Sequence, residues 1–397
     1  MPAIAPQQDH DQAAAHAICA ALTRRIQHHI AAHGGAIGFD HFMRLALYEP
    51  GLGYYTAGAT KLGAAGDFIT APELAGDQAR SLFALALAAA VQPVLSRLSG
   101  PAHILEFGAG SGKLCLDLLH ALADARCLPR SYLILEPSAQ LRQRQQQRLQ
   151  GHTPCPVTWL SAWPDAPING IVLGNEVLDA MPVQRFIINA DHIAEQTVRL
   201  RDGALCWGQR RADAALTTQV EAIRRSLPQA LPSGYVSEFN PALDGWFRSL
   251  SRCLGQGVAL FIDYGYPRAE YYLPERCTGT LICHQRHRAH TDPLHQPGLQ
   301  DISAFVDFTA CAQAAQGAGL AVLGFTTQAA FLLDCGVHTV LESELAGQGV
   351  RYLQRAQELK TLTLPGDMGE RFKVLAVGRG VEADVPGLRL SDQRWRL

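Results

Sequence analysis

The sequence lacks an excess of charge of either sign. Its 34 Lys and Arg residues are balanced by 36 Asp and Glu residues, so the formal net charge is −2 over 397 residues. This balance gives no electrostatic case for nucleic acid as the main partner, because binding to phosphate backbones depends on clustered positive charge. Charged residues make up 18% of the chain and hydrophobic residues 48%, which is typical of a globular protein with a large core.

Long apolar runs and closely paired cysteines are also missing. The apolar stretch at residues 82–91 is too short to span a bilayer and is followed by Pro93, so no membrane insertion is expected. The first 22 residues contain no basic flank followed by an apolar segment, so we expect no secretory signal and a cytoplasmic location. None of the ten cysteines forms a Cys-x-x-Cys pair, which favours reduced thiols over a disulfide framework.

The motif around which the chain is organised is ILEFGAGSG at residues 104–112, an apolar run that ends in three alternating glycines. Together with the apolar helix predicted at 114–122, it forms the first half of a nucleotide-binding βα unit. Lys113 stands where a dinucleotide fingerprint needs its third glycine, and Phe107 and Leu114 break a Walker phosphate loop. The spacing therefore favours a class I S-adenosylmethionine (SAM) methyltransferase, while a dehydrogenase and a turn without a ligand stay open.

Acidic residues follow three further predicted strands. Glu136 ends SYLILE, and Asp263 ends the apolar part of GVALFIDYGYP. Between them, another apolar run leads into NEVLDAMP, which carries Asn175, Glu176 and Asp179. Ligands of doubly wound sheets bind beyond the carboxyl ends of the strands, so we expect these side chains at one rim, with Glu136 accepting hydrogen bonds from ribose hydroxyls. A solvated loop acid at Glu136 and a capped helix start at NEVLDAMP are the alternatives.

Upstream polar groups and a histidine-rich stretch are weaker candidates. Residues 51–66 are glycine-rich and aromatic and are predicted to form an ordered loop over a pocket, followed by Asp67, Thr70 and Glu73. Simple helix capping by Thr70 or Glu73 is the alternative. The Cys and His residues at 283–295 match no standard zinc spacing and are interleaved with arginines, so no metal site is predicted.

Changes of pattern divide the chain into segments. Residues 185–211 alternate, with Asp202-Gly203 as a hairpin signal, which predicts strands inserted outside the main sheet. Residues 237–254 are predicted to be helical. The predicted segments are an N-terminal helical and glycine-rich loop cap (1–76), the first part of a Rossmann-like core (77–184), an inserted β-hairpin and helix lid (185–235), the second part of the core (236–380) and a flexible tail (381–397).

The order of these motifs resembles the MidA family, the methyltransferases associated with mitochondrial complex I assembly and their bacterial relatives. The matching stretches are LYEPGLGYYT, GDFITAPEL, LEFGAGSGKL, LEPS, NEVLDAMPVQRF, FIDYGYP, PGLQDISAFVDF and MGERFKVLAVGR. They run in order from residue 47 to residue 379, so the likeness covers nearly the whole chain. GDFITAPE and NEVLDAMP are the specific stretches, whereas the glycine turn is shared with many methyltransferases.

The resemblance implies a class I SAM-dependent methyltransferase. The expected fold is a Rossmann-like, doubly wound, mostly parallel seven-stranded sheet with an N-terminal cap and an inserted β-rich lid. The expected cofactor is SAM, and the expected substrate is an arginine of a protein client, symmetrically dimethylated on a core subunit of respiratory complex I or on another protein. A non-catalytic SAM-binding assembly factor and a nicotinamide-dependent oxidoreductase are the alternatives, and a homodimer stays open.

The resemblance also implies roles for individual residues. A guanidinium is a poor nucleophile because it stays protonated, so carboxylates are needed to hold and orient it. The catalytic candidates are Glu73, Glu176, Asp179 and Asp263. The cofactor-binding candidates are Gly66, Asp67, Thr70, Glu106, Phe107, Gly108, Ala109, Gly110, Gly112, Glu136, Pro137, Asn175 and Glu176.

Overall fold

The computed structural model describes residues 5–57, 70–77, 79–285, 288–345, 349–381 and 384–397. Its α-helices are, in chain order, α1 (Ala5–Ala32), α2 (Phe39–Tyr48), α3 (Leu82–Arg97), α4 (Lys113–Asp124), α5 (Ala139–Leu149), α6 (Ala214–Ser226), α7 (Leu243–Cys253), α8 (Arg268–Tyr271), α9 (Phe308–Gly317), α10 (Gln328–Asp334), α11 (Val337–Leu345) and α12 (Val350–Thr363). Short 3-10 turns lie at Ala71–Glu73 and Arg394–Arg396. Within these described ranges, no helix has the length and apolar character needed to cross a membrane.

The strands complete the inventory of regular structure. They are, in chain order, β1 (Ala36–Gly38), β2 (His103–Phe107), β3 (Ser131–Leu135), β4 (Val157–Leu160), β5 (Ile168–Asn175), β6 (Gln184–Ile188), β7 (Ile193–Arg201), β8 (Ala204–Arg211), β9 (Tyr235–Phe239), β10 (Leu254–Tyr266), β11 (Ile282–Gln285), β12 (Arg288–His290), β13 (Asp301–Ser303), β14 (Val306–Asp307), β15 (Ala321–Thr327) and β16 (Phe372–Arg379).

The larger sheet has the strand order β15-β16-β10-β5-β2-β3-β4. Its neighbouring strands are parallel except at β16, which runs antiparallel to both β10 and β15. The short β14 also pairs with the end of β10. Strands such as β5 read as nearly continuous apolar runs because both faces of the sheet are buried. The predicted fold class, a doubly wound, mostly parallel seven-stranded sheet, is confirmed.

The main core lies between this sheet and the helices α3 and α4. Phe83 and Leu87 of α3 and Leu118 and Leu122 of α4 pack in one cluster with strand residues such as Ile171. Burying one such side chain stabilises the fold by about 2 kcal/mol. This packing holds α4, and with it the loop that precedes α4, in place on the sheet.

The chain divides into two compact units. One consists of Met1–Lys61, Ala180–Ala242 and Ala269–Phe305, and the other of Leu62–Asp179, Leu243–Arg268 and Val306–Leu397. The second unit contains the large sheet. The first contains the antiparallel order β1-β7-β6-β9 with β8 beside β7, and a small sheet of β12-β11-β13. The hairpin predicted at Asp202-Gly203 is confirmed, since these residues connect β7 to β8 with φ values of 52° and 78°.

Two predictions of local structure are wrong. Residues 237–254 were expected to be helical, but β9 continues to Phe239 and α7 begins only at Leu243, because this segment pairs with β6 along its whole length up to Phe239. A flexible tail was expected at 381–397. In the described part of it Val385 is buried, and the Gln393 N–H donates to the Phe325 carbonyl at 2.7 Å.

Candidate functional site

Four parallel strands end in register at one edge of the large sheet. The aligned residues are Leu135 of β3, Phe107 of β2, Gly174 of β5 and Phe261 of β10. The strand order reverses between β2 and β5, and such a switch point is where doubly wound sheets bind ligands. Gly108, Glu136 and Asn175 each follow one of these aligned residues, so the structure brings the three to one rim.

The glycine turn between β2 and α4 has no side chains at three positions to cover its backbone. Gly108, Gly110 and Gly112 have φ values of 60°, 54° and 83°, a left-handed conformation that favours glycine. The Gly112 N–H closes the turn on the Ala109 carbonyl at 2.7 Å. A Cβ built on Gly108 would have Val177 Cγ2, 3.8 Å away, as its nearest neighbour. As far as the described part of the chain shows, the space over this glycine is therefore open to a ligand.

Lys113, directly after the turn, has a structural role. Its Nζ lies 2.8 Å from Asp117 Oδ2 and donates to the Ala79 carbonyl at 3.0 Å. The same Asp117 oxygen accepts the Ser81 N–H at 2.8 Å, so the lysine and the aspartate together hold the start of α3. Both side chains are buried, and their contacts explain a lysine here without a phosphate ligand.

Glu136, at the end of β3, is held by two hydrogen bonds. Its Oε1 accepts the Ser138 N–H at 2.9 Å, and its Oε2 accepts Gln145 Nε2 at 3.1 Å. The residue is 3% exposed, and burial raises its pKa while these hydrogen bonds oppose the rise. An ionised carboxylate has about four lone-pair positions, so two remain for neighbouring hydroxyl groups of a ligand.

The other predicted cofactor residues flank the turn and Glu136. The ring of Phe107 packs against Trp163 and Trp246, with centroid distances of 4.9 and 5.3 Å. Ala109 is buried inside the turn, and Pro137 is exposed directly after Glu136. Apolar groups therefore lie beside Glu136, as a site for a nucleoside requires.

Glu106 is a buried acid one residue before the end of β2. It accepts a hydrogen bond from the Tyr132 hydroxyl at 2.8 Å and is 3% exposed. Burial raises its pKa to about 7, with a further rise from the nearby Glu136 and an opposing effect of the Tyr132 hydrogen bond. Glu106 therefore carries its proton over much of the range in which an exposed glutamate is ionised.

This pKa makes stability depend on pH. Between pH 4.5 and 7 the folded chain retains the Glu106 proton that the unfolded chain releases, so this stabilising contribution is complete below 4.5 and is lost as the pH rises to about 7. We expect Glu106→Gln, which stays neutral and can still accept from Tyr132, to be more stable than wild type at pH 8 by up to about 3 kcal/mol, but not at pH 4. Urea unfolding at both pH values measures this, with Glu275→Gln on the surface as control. An equal difference at both pH values would contradict it.

Glu73 contacts the glycine turn. It ends the 3-10 turn Ala71–Glu73, and its carboxylate accepts a hydrogen bond from the Ser111 hydroxyl. Arg148 Nη1 lies 3.7 Å from the same carboxylate. Thr70 precedes this 3-10 turn and makes no side-chain capping bond, so the capping alternative is not realised by Thr70. Gly66 and Asp67 lie outside the described residues.

The NEVLD turn after β5 begins with a strained acid. Glu176 has a φ of 53°, which costs a residue other than glycine about 1–2 kcal/mol. Its N–H donates to the Ile262 carbonyl at 2.9 Å, and its Oε1 accepts Asn175 Nδ2 at 3.1 Å. Among the residues that the structure describes, the other amide atom, Asn175 Oδ1, is buried and has no hydrogen-bond partner. Backbone strain beside an unsatisfied buried acceptor is typical of a ligand site.

Asp263 holds this turn from the neighbouring strand. Its Oδ2 accepts the N–H groups of Val177, Leu178 and Asp179 at 3.2, 2.9 and 3.3 Å. Its Oδ1 accepts the Tyr264 N–H at 3.0 Å. Burial raises the pKa of Asp263, and the charges of Asp179 and Glu176 raise it further, while the backbone hydrogen bonds oppose the rise. These contacts make Asp263 the anchor of the turn, and they place three carboxylates in one cluster.

Asp179 is connected to the same strand by its side chain. The Tyr264 hydroxyl donates to Asp179 Oδ2. Two side chains of FIDYGYP, those of Asp263 and Tyr264, therefore bond to the NEVLD turn. Asp179 is 5% exposed. The structure thus brings Glu176, Asp179 and Asp263 together, and places Glu73 at the glycine turn.

Comparison with known families agrees with this geometry. Residues 86–326 match the model of a family described as "Putative S-adenosyl-L-methionine-dependent methyltransferase". This match covers more than half of the chain and includes the glycine turn, Glu136 and the carboxylate cluster. The chain belongs to this family. The resemblance to MidA proteins and the prediction of SAM as the cofactor are thereby confirmed.

Individual relatives align with most or all of this methyltransferase. A crystal structure of a Burkholderia thailandensis protein bound to S-adenosyl-homocysteine is 39% identical, with both chains fully covered and a TM-score of 0.89. A second structure from the same organism is 38% identical, again with full coverage, and has a TM-score of 0.87. The Danio rerio protein named protein arginine methyltransferase NDUFAF7, mitochondrial, is 28% identical over 376 residues, covering 86% of this chain and 83% of the relative. The Caenorhabditis elegans homologue is 27% identical over 372 residues with the same coverage.

The rim of this methyltransferase has the chemistry that SAM requires. SAM has no phosphate group, and the lysine after the glycine turn is already held by Asp117. Glu136 has lone pairs left for two ribose hydroxyls. The buried Oδ1 of Asn175 suits a hydrogen-bond donor such as the ammonium group of the methionine part. The bare backbone at Gly108 allows close approach.

Two polar residues of this methyltransferase site were missed in the sequence. The Gln and Arg content of α5 is typical of a solvent-exposed helix. Gln145 is nevertheless 0% exposed and bonds to Glu136, and Arg148 Nη1 donates to Ser111 Oγ at 2.9 Å. A signal for Gln145 was present, because Gln145 lies four residues from both Leu141 and Leu149, which are the other buried residues of α5.

Proposed function

We propose that this methyltransferase transfers the methyl group of SAM to an arginine of a protein. The single observation that carries the proposal is the carboxylate cluster of Glu176, Asp179 and Asp263 at the cofactor rim. The names of the relatives from Danio rerio and Caenorhabditis elegans support it, since both are called protein arginine methyltransferases.

Carboxylates suit this substrate because of the chemistry of arginine. The guanidinium stays protonated at neutral pH and presents five N–H donors in a planar fork that matches a carboxylate. A positive substrate would also relieve the repulsion that Asp179 and Glu176 exert on ionised Asp263. We assign Glu176 and Asp179 to the guanidinium, because Asp263 already accepts four backbone N–H groups.

The roles of the remaining residues follow from their contacts. The glycine turn, with Gly108, Gly110 and Gly112, carries the cofactor beside Phe107 and Ala109. Glu136 accepts hydrogen bonds from the ribose hydroxyls of SAM, and Asn175 Oδ1 accepts one from a donor group of its methionine part. Glu73 supports the turn through Ser111, and Glu106 is held on β2 by the Tyr132 hydroxyl of β3. Pro137 and Thr70 border this region.

The protein contributes orientation and charge to the transfer. Bound SAM supplies an electrophilic methyl group on a positively charged sulfur. Glu176 and Asp179 hold the guanidinium so that one nitrogen faces that methyl group, and their charges keep the positive charge of the substrate on the other two nitrogens. Alignment of this kind accounts for much of the rate in two-substrate reactions. The proton released from the methylated nitrogen passes to a carboxylate of the cluster.

Further features of the reaction are proposed on the resemblance to the MidA family. These are symmetric dimethylation as the product and a core subunit of respiratory complex I as the client. A homodimer and a cytoplasmic location stay predictions; the relatives are named mitochondrial proteins.

Methyl transfer to protein tests the proposal directly. The purified chain is incubated with methyl-labelled SAM and lysate from a strain in which the gene is deleted. We expect label in one or a few protein bands, and methylated arginine in them by mass spectrometry. Calorimetric titrations with SAM and with NAD are run beside the assay.

Each outcome of these experiments has one meaning. Label on a residue other than arginine would overturn the substrate assignment. SAM binding without transfer to any protein would indicate a non-catalytic SAM-binding assembly factor. NAD binding without SAM binding would contradict the methyltransferase itself.

A further inference from the structure

Gln145 of α5 connects three parts of the cofactor site. Its Nε2 donates to the Gly110 carbonyl at 3.0 Å and to Glu136 Oε2 at 3.1 Å. Its Oε1 accepts the Trp159 Nε1–H at 2.9 Å. The side chain is completely buried, so these contacts are shielded from water. One amide group therefore joins the glycine turn, the acid after β3 and a tryptophan of β4.

The partners determine which end of the amide faces the site. A tryptophan Nε1–H can only donate, and a carbonyl and a carboxylate can only accept. Trp159 must therefore face the amide oxygen, which leaves both amide hydrogens for Gly110 and Glu136. This assignment gives the amide oxygen and both amide hydrogens of Gln145 a compatible partner.

This polarity has a consequence for Glu136. The amide N–H at Oε2 and the Ser138 N–H at Oε1 occupy one lone-pair position on each oxygen. They stabilise the ionised form and fix the plane of the carboxylate. An acid held in this way presents its other two lone pairs in a defined direction, as two neighbouring hydroxyls require.

We propose that Gln145 is a positioning residue for SAM, which aligns Glu136 with the ribose and locks the glycine turn to it, with its own orientation set by Trp159. The inference rests on the placement of the ribose at Glu136 given under the proposed function. It is independent of the substrate, because cofactor binding can be measured without one.

Two substitutions separate positioning from packing. S-adenosyl-homocysteine is titrated calorimetrically into the full chain between pH 5.5 and 8.5. We expect Gln145→Leu, which removes both amide hydrogens, to bind about 10-fold more weakly at every pH. We expect Gln145→Glu, which keeps the shape but directs a carboxylate at Glu136, to bind more than 10-fold more weakly at pH 8.5 and to recover as the pH falls and one acid is protonated.

Controls come from the same helix and from the partner residues. Gln147→Leu changes an exposed glutamine of α5 and is expected to bind like wild type. Trp159→Phe removes the group that orients the amide and is expected to weaken binding less than Gln145→Leu. In wild type, the indole N–H resonance of Trp159, assigned from its loss in Trp159→Phe, should shift when S-adenosyl-homocysteine binds.

The experiment can overturn the inference in two ways. Unchanged affinity in Gln145→Leu, or a Gln145→Glu defect that does not depend on pH, would reduce Gln145 to a packing residue. Unchanged affinity in Glu136→Gln would instead show that the ribose lies elsewhere, and the placement at Glu136 would fall. Circular dichroism and thermal unfolding of each variant show whether weak binding comes from loss of the fold.

Discussion

Glu176→Gln is expected to lower the rate of methyl transfer about 10²-fold or more while S-adenosyl-homocysteine still binds. Glutamine has the shape of glutamate and can still accept from Asn175, but it loses the charge that holds a guanidinium. Transfer of label to the client protein and calorimetric titration measure the two quantities separately. An unchanged rate would contradict the assignment of Glu176 to the guanidinium of the substrate.

Glu176→Gly tests whether the backbone strain at the same residue lowers the stability of the fold. The φ of 53° is unfavourable for glutamate and free of strain for glycine, so this variant should unfold with a free energy about 1 kcal/mol higher than that of wild type, yet transfer no methyl groups at a measurable rate. A gain in stability together with loss of activity is the behaviour expected where strain serves function.

Arg126→Gly is the matched control for this variant. Arg126 has a φ of 52° in an exposed turn after α4, so glycine should stabilise the fold here as well. Methyl transfer should be unchanged, because Arg126 lies after α4, outside both the glycine turn and the carboxylate cluster. Equal losses of activity in both glycine variants would show that Glu176→Gly acts through the fold and not through the carboxylate.

Asp263→Asn is expected to lower kcat about 10²-fold through displacement of the NEVLD turn. Both carboxylate oxygens of Asp263 accept backbone N–H groups, three of them from that turn. In asparagine one of these oxygens is replaced by an NH₂ group, which would face a backbone N–H donor. Displacement of a reacting group by about 1 Å can lower the rate about 10²-fold. The acidic limb of the pH–rate profile should persist at lower amplitude, because a positioning residue does not itself exchange the substrate proton.

The pH–rate profile decides between the two roles of Asp263. Loss of its acidic limb would show that Asp263 is the proton acceptor, and would contradict the anchoring role. Asp307→Asn is the control, since Asp307 is a half-buried acid that bonds to Arg268 and to the Ala310 N–H at the start of α9. We expect that variant to lose stability but keep its pH–rate profile.

Local patterns were sufficient to predict much of the site. The run ILEFGAGSG predicted the buried strand and the glycine turn that follows it, because the alternating glycines and the apolar strand are short-range features. The acids Glu136, Glu176 and Asp263 were predicted at one rim because parallel strands end at the same edge. The strands that precede these acids end in register at one edge of the sheet, which agrees with the geometric part of this reasoning. The pattern could not reveal that Asp263 anchors the NEVLD turn, since the three N–H groups of that turn are distant from Asp263 along the chain.

Other errors have the same physical origin. The segment at 237–239 is a strand because β6 pairs with it, and an isolated sequence contains no information on that partner. Residues 384–397 looked like a tail, but Val385 is buried and Gln393 bonds to β15 across the fold. Long-range pairing overrides local propensity at such positions.

The sequence by itself determined the main strands of the large sheet, the glycine turn and the family, because these depend on periodicity and on residues close together along the chain. Only the tertiary structure decided which polar side chains act together. Gln145 is an ordinary glutamine of a glutamine-rich helix until burial places its amide between Trp159, Gly110 and Glu136. Glu176 is one acid among 36 acidic residues until the Ile262 carbonyl holds its backbone in a left-handed conformation. Direction and burial arise from contacts between distant residues, and these decide the chemistry of a site.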